Sequence, residues 1–152
     1  MVSKVFEPID VAAERYTGLA RKAIDYGRFQ KKIMDRAVDP NSGYTPDEWL
    51  GLKEFVSDDF KRIGTFKEEW TFDEMIKFLQ AWAPNAHWEG SFKRVTEVDN
   101  VVFLELEERG MHIVNTISVY EFNDEGKLRH LDVLWQAPPM ESLPIDAYKV
   151  ND

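Results

Sequence analysis

The hydrophobic positions of this chain change their spacing part-way along its length. In the first 57 residues they recur at helical intervals, and the first predicted helix spans residues 10–27, with Asp10 as its cap. One face of this helix carries Ala12, Tyr16, Leu19 and Ala23. A short second amphipathic segment follows, with Phe29, Ile33 and Ala37 on one side. The N-terminal third of the chain is therefore predicted to be helical.

Two capping-box patterns predict two further helices. Thr45-Pro46-Asp47-Glu48 opens the first, which would bury Trp49, Leu52, Phe55 and Val56. Thr71-Phe72-Asp73-Glu74 opens the second, whose inward positions are Phe72, Met75, Ile76, Leu79 and Trp82. Residues 60–66, between these helices, have the pattern of a short strand.

From Trp88 onward the hydrophobic period becomes two, which is typical of strands. Strands are predicted over residues 88–98, 111–122 and 127–136. Between the first two of these, Val102, Leu104 and Leu106 alternate with Glu105 and Glu107. Helices that precede a four-stranded meander indicate an α+β fold with an antiparallel sheet. We expect one domain over residues 1–137 and a C-terminal tail over 138–152.

Composition and charge narrow the range of partners. The formal net charge of −9 disfavours nucleic acid and anionic membranes, because like charges repel. The absence of cysteine excludes disulfides, thiol catalysis and thiolate metal sites. The N-terminus has no apolar signal-like segment, so the expected location is the cytoplasm. No motif calls for a cofactor.

Three local strings, taken in order, resemble one superfamily. Residues 13–19 (AERYTGL) are similar to the first helix of steroid Δ-isomerases, residues 55–60 (FVSDDF) to a common entry into the first strand, and residues 119–128 (VYEFNDEGKL) to the hairpin between the last two strands. Over residues 10–136 the chain thus resembles the nuclear transport factor 2-like, or SnoaL-like, superfamily, which includes steroid isomerases and polyketide cyclases. The resemblance implies a cone-shaped, curled antiparallel sheet of the cystatin-like type, with N-terminal helices enclosing a pocket.

The same resemblance can be carried over residue by residue. The oxyanion-binding tyrosine of the isomerases falls on Tyr16, their general-base aspartate on Gly64, and their protonated aspartic acid on Ser118. Both carboxyl groups are therefore missing from their positions, which argues against steroid Δ-isomerase chemistry. Because the superfamily also hosts dehydratases, epoxide hydrolases, cyclases and non-enzymatic binders, it does not define a reaction.

The remaining polar residues still predict a candidate site. If the resemblance holds, Tyr16, Arg62 and Ser118 are hydrogen-bond donors around one apolar space that Leu131, Val133 and Trp135 line. Such a set suits a carbonyl group, an enolate or a carboxylate. No general base is obvious; the nearest candidate is His112, followed by Tyr120.

Each candidate also has a purely structural interpretation. In that interpretation Tyr16 is a core aromatic and Ser118 is an ordinary strand residue. Arg62, if inward, needs a partner such as Glu54 or a ligand anion, and a slip of one residue in register would turn it to solvent. The acidic run Glu105, Glu107 and Glu108 is interpreted as a solvated strand end.

The three histidines lack metal-binding spacing, so no metal site is predicted. His130, Asp132 and Leu134 alternate with the pocket positions of the last strand and therefore face outward, where a homodimer could form. The leading functional hypothesis is a lyase, isomerase or cyclase that acts on a small apolar carbonyl compound through an enolate. The alternatives are a non-catalytic binder of a hydrophobic metabolite and a dimeric interaction module.

Overall fold

The elements follow the order that the hydrophobic spacing predicts, helices first and strands last. The computed structural model describes residues 7–110 and 113–136. The α-helices are α1 (Ile9–Ala13), α2 (Gly18–Ala37) and α3 (Phe72–Trp82). The strands are β1 (Val56–Ile63), β2 (Glu69–Thr71), β3 (Glu89–Val98), β4 (Val101–Arg109), β5 (Ile113–Phe122) and β6 (Leu128–Trp135). Short 3-10 helices cover Pro46–Phe55 and Ala83–Asn85.

The six strands form one curled sheet in the order β2-β1-β6-β5-β4-β3. Strands β3 to β6 make the predicted antiparallel meander, and β2 pairs antiparallel with β1. β1 lies parallel to β6, so the predicted antiparallel sheet contains one parallel pair. The α+β class predicted from the sequence is confirmed.

The start of the chain differs from the predicted helix over residues 10–27. α1 ends at Ala13, α2 begins at Gly18 with a φ of 62°, and Thr17 between them is extended. The backbone N–H of Ala20 donates to Glu97 Oε1 at 2.8 Å, so a carboxylate from β3 caps the new helix. α2 then continues without a break to Ala37 and absorbs the segment that was predicted as a separate helix.

The later helices follow their capping signals. At the start of α3 the N–H of Glu74 donates to Thr71 Oγ1 and the N–H of Thr71 donates to Glu74 Oε1, each at 3.3 Å. Trp82, predicted to face inward, is partly exposed at the end of this helix. The segment after Thr45 forms a 3-10 helix rather than an α-helix, and it still buries Trp49 and Leu52 completely.

The core lies between the helices and the concave face of the sheet. Alternate residues of each strand point to this face, and the strand register arranges them in rows. One row joins Arg62, Leu131, Tyr120 and Val102 across four strands. Further along the same strands another row contains Glu108 and Val114. None of the helices in the described part of the chain is long and apolar enough to cross a membrane.

Candidate functional site

A cavity of about 360 Å³ lies between the helices and the concave sheet face. Its polar lining residues are Gln30, Arg62, Glu108, Ser118 and Tyr120. Most other wall positions are apolar or aromatic, among them Met34, Met75, Phe92, Leu104, Leu131 and Val133. A largely apolar cavity with a few convergent polar groups is the usual form of a small-molecule site.

Glu108 corrects the interpretation of the acidic run as a solvated strand end. Val102, Leu104 and Leu106 are the buried, inward residues of β4, and Glu108 continues their alternation onto the cavity wall. Burial raises the pKa of the Glu108 carboxyl, and hydrogen-bond donors on Trp88 and Thr116 partly oppose that rise. The Thr116 hydroxyl is buried and makes no hydrogen bond of standard geometry within the described chain.

Tyr120 adds a phenol to the same wall. Its side chain is buried, and its ring meets that of Tyr26 edge to face with centroids 5.8 Å apart. Burial first, and then the charges of Tyr26 and Glu108, raise the pKa of Tyr120, while Arg62 lowers it. The phenol therefore keeps its proton at ordinary pH and can donate a hydrogen bond into the cavity.

Arg62 also faces the cavity, with only 16% of its side chain exposed. Its guanidinium carbon lies 4.8 Å from the centre of the Trp70 ring, a cation–π contact. The nearest carboxylate is that of Glu68, with Oε1 3.8 Å from Nη1, whereas the predicted partner Glu54 is exposed elsewhere. Nη1 is buried and has no hydrogen-bond partner within the described residues.

Gly64 shows how the Glu68 carboxyl reaches this position. A Cβ atom on Gly64 would collide with the Glu68 carboxylate, so the missing side chain leaves the space that this carboxylate fills. The N–H of Gly64 donates to the carbonyl of Glu68, which closes the turn between β1 and β2. The position where the resemblance expects an aspartate is thus occupied by the carboxylate of a neighbouring glutamate.

Ser118 lies on the cavity wall, buried between Leu104 and Val133 in the sheet register. Leu131, Val133 and Trp135 line the cavity beside it, on the last strand. Trp135 is partly exposed and meets Phe66 edge to face at 6.0 Å. Two further partly exposed aromatics of α3, Phe78 and Trp82, also line the cavity.

One predicted site residue, Tyr16, is not brought to this cavity, and another lies outside the described residues. Tyr16 falls in the break between α1 and α2, where its ring packs at the edge of the core and lies 5.9 Å from the guanidinium of Arg15. The break removes the helical face that would have turned Tyr16 toward Ser118, and Tyr16 does not line the cavity. His112, the predicted base, lies outside the described residues.

The opposite face of the sheet carries the outward positions of the last strand. His130 Nε2 lies 3.1 Å from Asp132 Oδ1, and Leu134 is exposed beside them. Leu134 pairs with the exposed Ile117, and Phe103 is exposed on the neighbouring strand. In the part of the chain that the structure describes, no three His, Cys, Asp or Glu side chains are grouped to hold a metal ion.

Comparison with known proteins identifies the fold. The sequence matches no family model and no curated protein. The structure is similar to an NTF2-like protein of unknown function from Cytophaga hutchinsonii, with a TM-score of 0.58 at 9% identity over 80% of this chain and 92% of that chain. This chain has the nuclear transport factor 2-like fold.

Two other similar structures show how varied that fold is. A proposed SnoaL-like polyketide cyclase from Jannaschia sp. has a TM-score of 0.55 at 12% identity, over 82% of this chain and 98% of that chain. A steroid Δ-isomerase from Pseudomonas aeruginosa has a TM-score of 0.53 at 14% identity, over 89% of this chain and 85% of that chain. At these identities the nuclear transport factor 2-like fold is shared, and the chemistry has to be argued from the site.

Proposed function

We propose that this protein catalyses cofactor-independent proton transfer at a carbon next to the carbonyl group of a small, largely apolar compound. The observation that carries this proposal is Glu108, a carboxyl with a raised pKa on the wall of an apolar cavity. A carboxylate in such surroundings is a stronger base than one in water, because desolvation favours its protonated form. Perturbed carboxyls in clefts are also common at catalytic sites.

Hydroxyl donors on the same wall complete the arrangement. Tyr120 and Ser118 lie on β5, Tyr120 in the row of Arg62 and Ser118 in the next row toward Glu108, and both face the cavity. The Glu108 carboxylate would take a proton from the carbon beside the carbonyl, and the electron pair of the broken C–H bond would move to the carbonyl oxygen. The Tyr120 and Ser118 hydroxyls would then donate hydrogen bonds to the resulting enolate.

The step ends when Glu108 returns the proton. Return to the original carbon gives hydrogen exchange, and return to a conjugated carbon gives an isomer. Both outcomes restore the Glu108 carboxylate and consume no other reactant. Tyr120 suits the donor role because its raised pKa keeps it protonated while the enolate forms.

The experiment follows deuterium incorporation in D₂O by NMR, with phenylacetone and phenylpyruvate as carbonyl probes. We expect wild-type protein to accelerate exchange beside the carbonyl, and Glu108→Gln to reduce that rate by about 10²- to 10⁴-fold, as is usual for loss of a general base. Glu107→Gln is the matched control, because Glu107 is the preceding residue on β4 and pairs with Arg109 instead of lining the cavity. This control should retain the wild-type rate.

Two results would overturn the proposal. One is wild-type protein that accelerates exchange of neither probe. The other is acceleration that survives Glu108→Gln unchanged. In either case the cavity would be better interpreted as that of a non-catalytic binder.

A further inference from the structure

Arg62 has hydrogen-bonding capacity that the described protein does not use. Its Nη1 atom is buried without a hydrogen-bond partner among the described residues, and the Glu68 carboxylate lies 3.8 Å away, beyond hydrogen-bond length. Leaving a buried charged donor unsatisfied is costly, and the cost is recovered when a ligand supplies the acceptor. Since Arg62 lines the cavity, that acceptor can come from a bound molecule.

The surroundings of Arg62 select the kind of anion. The guanidinium stacks over Trp70, and its neighbours across the sheet are Trp70 on β2 and Leu131 on β6. Among the described residues, no lysine or second arginine lines the cavity. A phosphate carries close to two negative charges and would need more donors, whereas a single carboxylate matches one arginine.

The remainder of the ligand must be apolar. Met34, Met75 and Val133 belong to the same wall, and the cavity volume of about 360 Å³ is at the small end of the usual range for ligand sites. Arg62 stands in the row of Tyr120, and Glu108 stands three rows further along the sheet. A ligand held at Arg62 by one end can therefore present its other end toward Glu108.

We propose that the ligand of this cavity is an apolar monocarboxylate whose carboxylate binds Arg62 and whose hydrocarbon body extends toward Glu108. The substrate class rests on the proposed function, because it concerns the same site. The binding of a carboxylate rests on Arg62 and the cavity wall alone. Arg62 then anchors the substrate at a distance from the carbon that loses its proton.

The test compares two unreactive probes of equal shape, 3-phenylpropanoate and its neutral amide, by calorimetry and by tryptophan fluorescence. Trp82, Trp88 and Trp135 line the cavity, so occupancy should change their emission. We expect the acid to bind wild-type protein about 10- to 100-fold more tightly than the amide, as one charge-assisted hydrogen-bonded pair provides. Arg62→Met should abolish this preference while leaving the affinity for the amide unchanged.

Two variants sharpen the comparison. Arg129→Met is the matched control, because Arg129 lies exposed on β6 and pairs with Asp59 instead of lining the cavity; its preference should equal that of wild type. Arg62→Lys keeps the charge without the planar fork, so we expect a reduced but measurable preference. This variant and the acid–amide comparison on wild type both remain informative if Arg62→Met fails to fold.

The proposal is overturned if the acid and the amide bind wild type equally, if neither binds, or if the preference survives Arg62→Met. Glu108→Gln separates this proposal from the proposed function, because it should still prefer the acid to the amide while losing exchange activity. Acid-selective binding without exchange would support a carboxylate binder that is not an enzyme. Exchange activity without a preference for the acid would support the proposed function and refute the monocarboxylate as its substrate class.

Discussion

The environment of Glu108 affects both stability and chemistry. Its carboxyl lines an apolar cavity, and burial raises its pKa above the ordinary value. A group whose pKa is higher in the folded than in the unfolded chain binds its proton more tightly when folded. Its contribution to stability is therefore complete at low pH, below the unfolded pKa, and is lost as pH rises through the folded pKa.

This pH dependence of stability gives a prediction for Glu108→Gln, because glutamine resembles the protonated acid at every pH. The free energy of unfolding of the variant should increase relative to wild type as pH rises from about 4.3, the ordinary glutamate value, through the raised pKa of Glu108. Urea denaturation of both proteins at a series of pH values measures the difference. Glu107→Gln should show no such increase in the free energy of unfolding. If Glu108→Gln shows no increase either, Glu108 is well solvated.

Some of the site at this scale could be predicted from the sequence, because alternation along a strand is a local property. The family resemblance and this alternation together predicted Ser118, Tyr120 and Leu131 at the pocket, and these residues line the cavity. Glu108 was missed because it was grouped with the charged residues beside it. The available signal was its phase, two residues after the buried Leu106.

At the scale of elements, the meander was predicted to within about two residues at most strand ends. Period-two alternation and polar turns depend only on nearby residues, so β3 and β6 could be found from the sequence. β2, only three residues long, is too short to show a period. Its pairing with β1 forms the turn that brings Glu68 beside Arg62.

The differences among the helices have tertiary causes. The break before α2 combines the positive φ of Gly18 with a contact from Glu97, which is remote in sequence and caps the helix at Ala20. The spacing of nearby residues cannot predict a contact with a distant strand. The break in turn determines where Tyr16 lies. The parallel pairing of β1 with β6 likewise joins distant parts of the chain. Local periodicity therefore predicts the elements better than their pairing.

At the scale of the whole molecule, the outer face of the sheet remains to be explained. Phe103, Ile117 and Leu134 are 39%, 43% and 48% exposed, on three adjacent strands. Neighbouring exposed apolar side chains on one face are typical of a contact surface. We propose that a second copy of this chain covers them, since the imidazole of His130 and the carboxyl of Asp132 beside them offer hydrogen-bonding groups to the same surface of a symmetric partner.

Light scattering after size-exclusion chromatography tests this proposal. Wild-type protein should elute as a dimer, and Ile117→Glu should elute as a monomer because it would bury an unpaired charge in the interface. Leu50→Glu, an exposed apolar position in the 3-10 helix Pro46–Phe55, serves as the control and should remain dimeric. A monomeric wild type, or a dimer that persists in Ile117→Glu, would refute it.

The central claim is that Glu108 is a base with a raised pKa inside the ligand cavity, and its own titration tests this most directly. The measurement is ¹³C NMR of protein labelled at the glutamate side-chain carboxyls, with the Glu108 signal assigned by its loss in Glu108→Gln. We predict a Glu108 pKa clearly above about 4.3, the ordinary glutamate value, and a signal that shifts when 3-phenylpropanoate is added. A Glu108 carboxyl that titrates at or below the ordinary value, and does not respond to the probe, would contradict the account.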